Sequence, residues 1–170
     1  MPSAWQRRMR WRAMGVLSIL SLVTPCLAHA ATRYATTPQM ELDRCATAWV
    51  IHRYVEPQAT FEFYAEGELP KGVTPFDLPE AALRRDARRA ALEVLIEREH
   101  LSDPFVGDLA RWVHDAEIRA WARAADSPSV EFERRVMTPI LAAPDPPSAL
   151  HACFAVLDTL RDESGERSRQ

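Results

Sequence analysis

Between Asp43 and Tyr54 the chain reads DRCATAWVIHRY, an acid, two arginines, a histidine, a thiol and a tryptophan within about three turns of a helix. Leu42, Cys45/Ala46, Trp49 and Val50 recur at helical spacing as an apolar stripe, and Asp43, Arg44 and His52 fall outside it. The chemistry open to such a face is ion binding. A guanidinium is a planar fork of donors that matches sulfate, phosphate or chromate, so Arg44, His52 and Arg53 are oxyanion candidates. Glu41 and Asp43 stand close enough to pair with both arginines instead, which would make the same residues structural.

His114 and Glu117 lie three apart, on one side of a helix, and such a pair is half of a carboxylate–histidine metal site. The same spacing also serves a surface hydrogen bond. Asp77 sits in TPFDLP, where Pro75 and Pro79 restrict the backbone and preorganise a side chain as ligand, base or helix cap. Glu93, between Leu92 and Val94, reads by itself as a solvated residue. The chain has no G-x-S-x-G, glycine-rich phosphate loop, C-x-x-C or H-E-x-x-H, so no complete catalytic assembly is written in it.

The elements that must carry these side chains are mostly helices. The first spans about Met40 to Val55 and stops before Pro57. Thr60–Ala65 alternates as a short strand, and Val73–Leu78 reads as a second, together a small hairpin. Glu80–His100 is the clearest helical pattern, and its Arg84-Arg85-Asp86-Ala87-Arg88-Arg89 run reads as a solvated face. Ser102 or Asp103, with Pro104 at the first position, starts a helix to about Ala125, Ser127-Pro128 one to about Leu141, and Asp145-Pro146 the last. The expected class is mainly α within α+β: five helices in one domain over 40–162, with a two-stranded β element near 60–78. Residues 31–39 are expected to be a flexible leader and 163–170 a disordered tail.

The N-terminus has its own logic. Arg7, Arg8, Arg10 and Arg12, an apolar run from Gly15 to Leu27, and Ala28-His29-Ala30 form the order of a secretory signal peptide cleaved after Ala30, with a retained membrane anchor and a lipoprotein cleaved before Cys26 as the alternatives. The run is shorter than the ~20 residues that span a bilayer, so no stable membrane span is expected after cleavage. The expected location is periplasmic or secreted. That leader holds four of the 21 Lys and Arg and none of the 24 Asp and Glu, leaving 17 basic against 24 acidic side chains, a net −7. Such a charge speaks against nucleic acid as a partner. Cys26 lies in the leader, so Cys45 and Cys153 face an oxidising compartment. Either they are two small buried hydrophobes, or the first and last helices pack and a disulfide closes about a hundred residues, worth up to ~4–5 kcal/mol.

Three collinear segments resemble a known family. DRCATAWVIHRYVEPQATFEF is similar to the signature of the ChrB-related C-terminal domain of chromate-resistance proteins, D-R-x-A-C-P-W-L-I-x-R-F-I-D-P followed by an F-x-F strand. TPFDLP and LSDPFVGDLARWVHDAE match two further motifs, the second resembling L-x-D-P…L-A-x-x-V-H-x-A-D. The likeness runs from about Glu41 to Glu117. Its departures are specific. Thr47-Ala48 replaces the family's Cys-Pro, Cys45 takes an aliphatic position, and Arg85, Ala87 and Ala90 replace a His, a Gly and a Cys. What survives is Asp43, Arg44, Trp49 and Arg53, a charged site suited to an oxyanion, and Asp77, Glu93, His114 and Glu117, a metal-type set.

The resemblance implies a role in chromate resistance, in which an exported domain handles or senses a metal ion or oxyanion. Oxygen ligands with one imidazole favour one divalent metal, iron or manganese, over zinc. Two alternatives stand beside it: a metal-dependent redox enzyme built on Asp77, His114 and Glu117, and a degenerate family member acting as an interaction module. The sequence names no protein partner.

Overall fold

The computed structural model of the protein describes residues 31–65 and 67–169; the leader, with its expected cleavage site and Cys26, lies outside them. Five α-helices and a small sheet form a mainly helical domain. In order they are β1 (Arg33–Thr36), α1 (Leu42–Val50) running into a π turn (Ile51–Val55), β2 (Thr60–Phe63), β3 (Thr74–Pro75), α2 (Ala91–Glu99), α3 (Pro104–Glu117), a short 3₁₀ turn (Ala120–Ala122), α4 (Pro128–Ala142) and α5 (Pro146–Arg167).

The sheet departs from expectation. It has three parallel strands in the order β2-β1-β3, and the segment read as a flexible leader supplies the central one. Tyr34, Ala35 and Thr36 are buried, with Tyr34 opposite Phe61 on one side and Thr74 on the other. β2 and β3 therefore do not form a hairpin with each other. α1 is the crossover of a βαβ unit, which parallel pairing of β1 with β2 requires. α1 packs against α2, α3 and α5, and all nine of its residues are buried.

Residues 80–90 are not helical, although the apolar spacing fits. The Asp86 carboxylate accepts the Arg88 and Arg89 N–H groups at 2.8 and 2.9 Å, taking backbone donors that a helix would use. The Asp77 N–H donates to the Leu83 carbonyl at 2.7 Å, folding the segment back on itself. Helix begins only at Ala91. α3 starts as its sequence signals, with Asp103 accepting from Phe105 N and Val106 N and Pro104 in the first turn. It stops at Glu117, short of Ala125. Asp145 caps α5, which continues to Arg167 where a disordered tail was expected.

The core closes between α1, α3 and α5. Trp49 is fully buried and meets Phe105 edge-on at 5.6 Å. Cys45 and Cys153 are joined by a disulfide across 108 residues, tying α1 to α5. No helix among the described residues is long and apolar enough to cross a membrane.

Candidate functional site

α2 begins at a residue that cannot cap it. Ala90 occupies the N-cap position in extended conformation, with no side-chain oxygen to accept the first free N–H groups. Asp43 of α1 does so from outside: its Oδ2 accepts the Ala91 N–H at 2.6 Å and its Oδ1 the Leu92 N–H at 2.9 Å. Glu93 completes the arrangement by accepting the Ala90 N–H at 2.8 Å, and the same oxygen lies 2.9 Å from Nδ1 of His114 on α3. Asp43 is fully buried. Burial, with the Asp77 charge adding to it, lifts its carboxyl to about 6, against the opposing pull of the two α2 N–H groups and Arg85.

Arg85 is the hub beside this cap. Its guanidinium donates to Asp77 at 3.2 and 3.3 Å, to Glu117 at 3.1 Å and to Glu41 at 2.9 Å, and it lies 3.8 Å from Asp43. Burial alone would lower its pKa, but the Asp77, Asp43 and Glu117 charges together raise it. Arg44 approaches Asp77 from the opposite side. Its Nη2 is 3.2 Å from both the Asp77 carboxylate and the Asp77 carbonyl, and Nη1 donates to the Gln39 carbonyl. Its Nε is buried with no partner. Asp77 holds this bridging position in left-handed backbone, φ 48°, a strained conformation of the kind found where surrounding structure fixes a side chain.

The sequence-derived sites thus regroup. Asp77, Glu93, His114 and Glu117 do meet at one junction of α1, α2 and α3. They do not form a ready metal shell, because Arg85 lies between Asp77 and Glu117 and leaves Glu93 and His114 as a pair. Among the described residues no group of three or more His, Cys, Asp or Glu side chains is placed to hold a metal ion. The oxyanion set divides instead of assembling. Asp43 and Arg44 face this junction, whereas Trp49 and Arg53 face α5, where Asp158 accepts from Trp49 Nε1 at 3.0 Å and from Arg53 Nε and Nη2 at 3.0 and 2.5 Å. Burial would raise the Asp158 pKa, but Arg53 and Trp49 hold it below the usual range.

Sequence reasoning missed Arg85 as a site residue, placing it on a solvated face. The signal was present in its neighbours: Arg84 and Arg85 follow Asp77 in a segment bounded by Pro79, and only Arg85 among the run replaces a residue type that binds ions. Arg44, Arg84, Arg85, Asp77, Leu78 and Pro79 enclose a cavity of about 410 Å³. A second, of about 540 Å³, opens beside His114 and Glu93 and is bordered by Trp112, Arg111 and Arg119. Chemically, the junction offers guanidinium donors and carboxylate acceptors beside two cavities.

A family model described as ChrB, C-terminal domain, matches residues 34–163. Searches of curated proteins and of solved structures found no match. The match opens at Tyr34, inside β1, and so includes the strand that the expected domain limit at residue 40 left out.

Proposed function

The chain belongs to the ChrB C-terminal-domain family, and from that premise we propose that it is an exported chromate-resistance domain that captures a tetrahedral oxyanion in the cavity walled by Arg44, Arg84 and Arg85. One observation carries the reading: three guanidiniums line that cavity, one of them nine-tenths buried, against Asp77 as its single acid. Partial burial strengthens each charge–charge contact relative to open water, and a guanidinium fork suits chromate or sulfate oxygens. Glu41, Asp43 and Glu117 lie within reach of Arg85 and offset part of its charge. Binding is therefore expected to be about millimolar, roughly 4 kcal/mol, and to weaken with salt.

Export is supported by the order of the leader and by the Cys45–Cys153 disulfide, since such bonds persist in oxidising compartments. The site's role is capture or sensing. Asp77 already bridges Arg44 and Arg85, so an arriving oxyanion competes with a carboxylate for the same donors and can alter how that bridge is held. Thermal unfolding of the disulfide-intact protein in chromate, sulfate or chloride at matched ionic strength tests this, because a ligand of the native state raises its stability. Chromate and sulfate should raise the midpoint above chloride, and Arg84→Ala should abolish the difference. Identical midpoints in all three salts would exclude the oxyanion reading.

A further inference from the structure

A separate cavity of about 480 Å³ lies at the far end of α1, and no part of the ion-binding reading uses it. Its wall is aromatic. Phe61 and Phe63 come from β2, Phe154 and Leu150 from α5, and His52 from the π turn that ends α1. The His52 ring stacks on Phe154 with centroids 5.4 Å apart and planes 28° apart, and Phe154 meets Phe61 edge-on at 6.1 Å. Phe61 is itself backed by Tyr34 at 5.8 Å and Phe76 at 5.9 Å, so this wall is braced by the core.

Charge at the wall is balanced. Arg53 is paired with Asp158, which accepts from its Nε and Nη2. Burial and the Arg53 charge lower the His52 pKa, which favours a neutral imidazole, and its Nδ1 is buried with no partner. A neutral imidazole flanked by phenylalanines is a surface for ring stacking and not for a free ion. Thr60 and His151 also line the cavity and are exposed, which leaves hydrogen-bonding groups at its polar side. The volume falls within the range of small-molecule sites, roughly 300–1,000 Å³. The π turn that presents His52 and Arg53 is of a kind that recurs at functional sites.

We propose that this cavity binds a neutral, flat aromatic molecule of one or two rings that carries a phenol or quinone oxygen. Rings stack against Phe154, Phe61 and His52, and the oxygen meets Thr60 or His151. The test is saturation-transfer NMR on the disulfide-intact protein with 2-naphthol and 1,4-naphthoquinone, using saturated 2-decalol as control. Both aromatic probes should show transfer and should shift His52 and Phe61 resonances, with 2-decalol at least tenfold weaker. Phe63→Ala removes a wall, and Thr60→Trp, made at an exposed strand position, fills the opening; each should weaken binding at least fivefold while circular dichroism stays unchanged. The proposal is overturned if neither aromatic probe binds, if 2-decalol binds as well as they do, or if the folded Thr60→Trp variant binds undiminished.

Discussion

The two ends of α1 carry similar residues and use them differently. At its C-terminal end, Trp49 and Arg53 meet one acid, Asp158, which accepts from three of their nitrogens, and the Cys45–Cys153 bond lies between the same two helices. Asp158 closes the Trp49 donor and two of the Arg53 nitrogens there, and the result is a clamp between α1 and α5. At its N-terminal end, four carboxylates surround Arg85 while Arg44 keeps an unpartnered Nε and a cavity opens beside them. Charge there is crowded with acids in excess, and the leftover Arg44 donor is what the proposed oxyanion would compete for. Arginine content alone does not mark a binding site; the difference is whether the acids close the set.

The sharpest break of the clamp is loss of the disulfide. Cys153→Ser, read by urea denaturation, should lower stability by about 4 kcal/mol on the loop-entropy account and leave oxyanion protection intact in the folded fraction. At the opposite end the largest effect belongs to Asp43. Its folded pKa, about 6, stands above the unfolded 3.8. The folded state therefore holds the proton more tightly, so the stability this group contributes is complete below pH 3.8 and is lost as pH rises through 6. The loss is about 3 kcal/mol at 1.36 kcal/mol per unit. Asp43→Asn should flatten that slope across pH 4–6 in pH-dependent unfolding; an unchanged slope would assign it to other groups.

A smaller effect should follow from Arg85→Ala, which leaves Glu41, Asp43, Asp77 and Glu117 facing one another. We expect a loss of about 2 kcal/mol, less than for a fully buried pair because the guanidinium is one-third exposed. Manganese should recover part of that loss in the variant and should not stabilise the parent protein. Recovery in both would mean that Arg85 does not occupy the cation position. Asp158→Ala should cost least, about 1 kcal/mol for partly exposed hydrogen bonds, with oxyanion protection unchanged.

How much of this was legible in the sequence depends on how far each residue's partner lies along the chain. α5 was legible at its start, and α3 to within one residue (Ser102 or Asp103), because Asp103 and Asp145 act on N–H groups within three residues. β1 was not, because four residues without alternation become a strand only when Thr60–Phe63 and Thr74–Pro75 flank them. The helical spacing of residues 80–90 misled because Asp86 redirects the local backbone donors. Asp43 was recognisable as unusual, yet its partners, the Ala91 and Leu92 N–H groups, lie 48 and 49 residues away. Distance also hid Arg85, whose partners Glu117 and Glu41 lie 32 and 44 residues away. Its carboxylates come from α1, α3 and the Asp77 turn, and only the fold brings them together.

The proposed oxyanion site lies at the N-terminal end of α1 and not along the helix. Side-chain Nε–Hε NMR of the arginines during a sulfate titration tests it most directly. The signals of Arg44, Arg84 and Arg85 should shift with one common dissociation constant while Arg53 stays still. Movement of Arg53 with the others silent, or no movement of any, would contradict it.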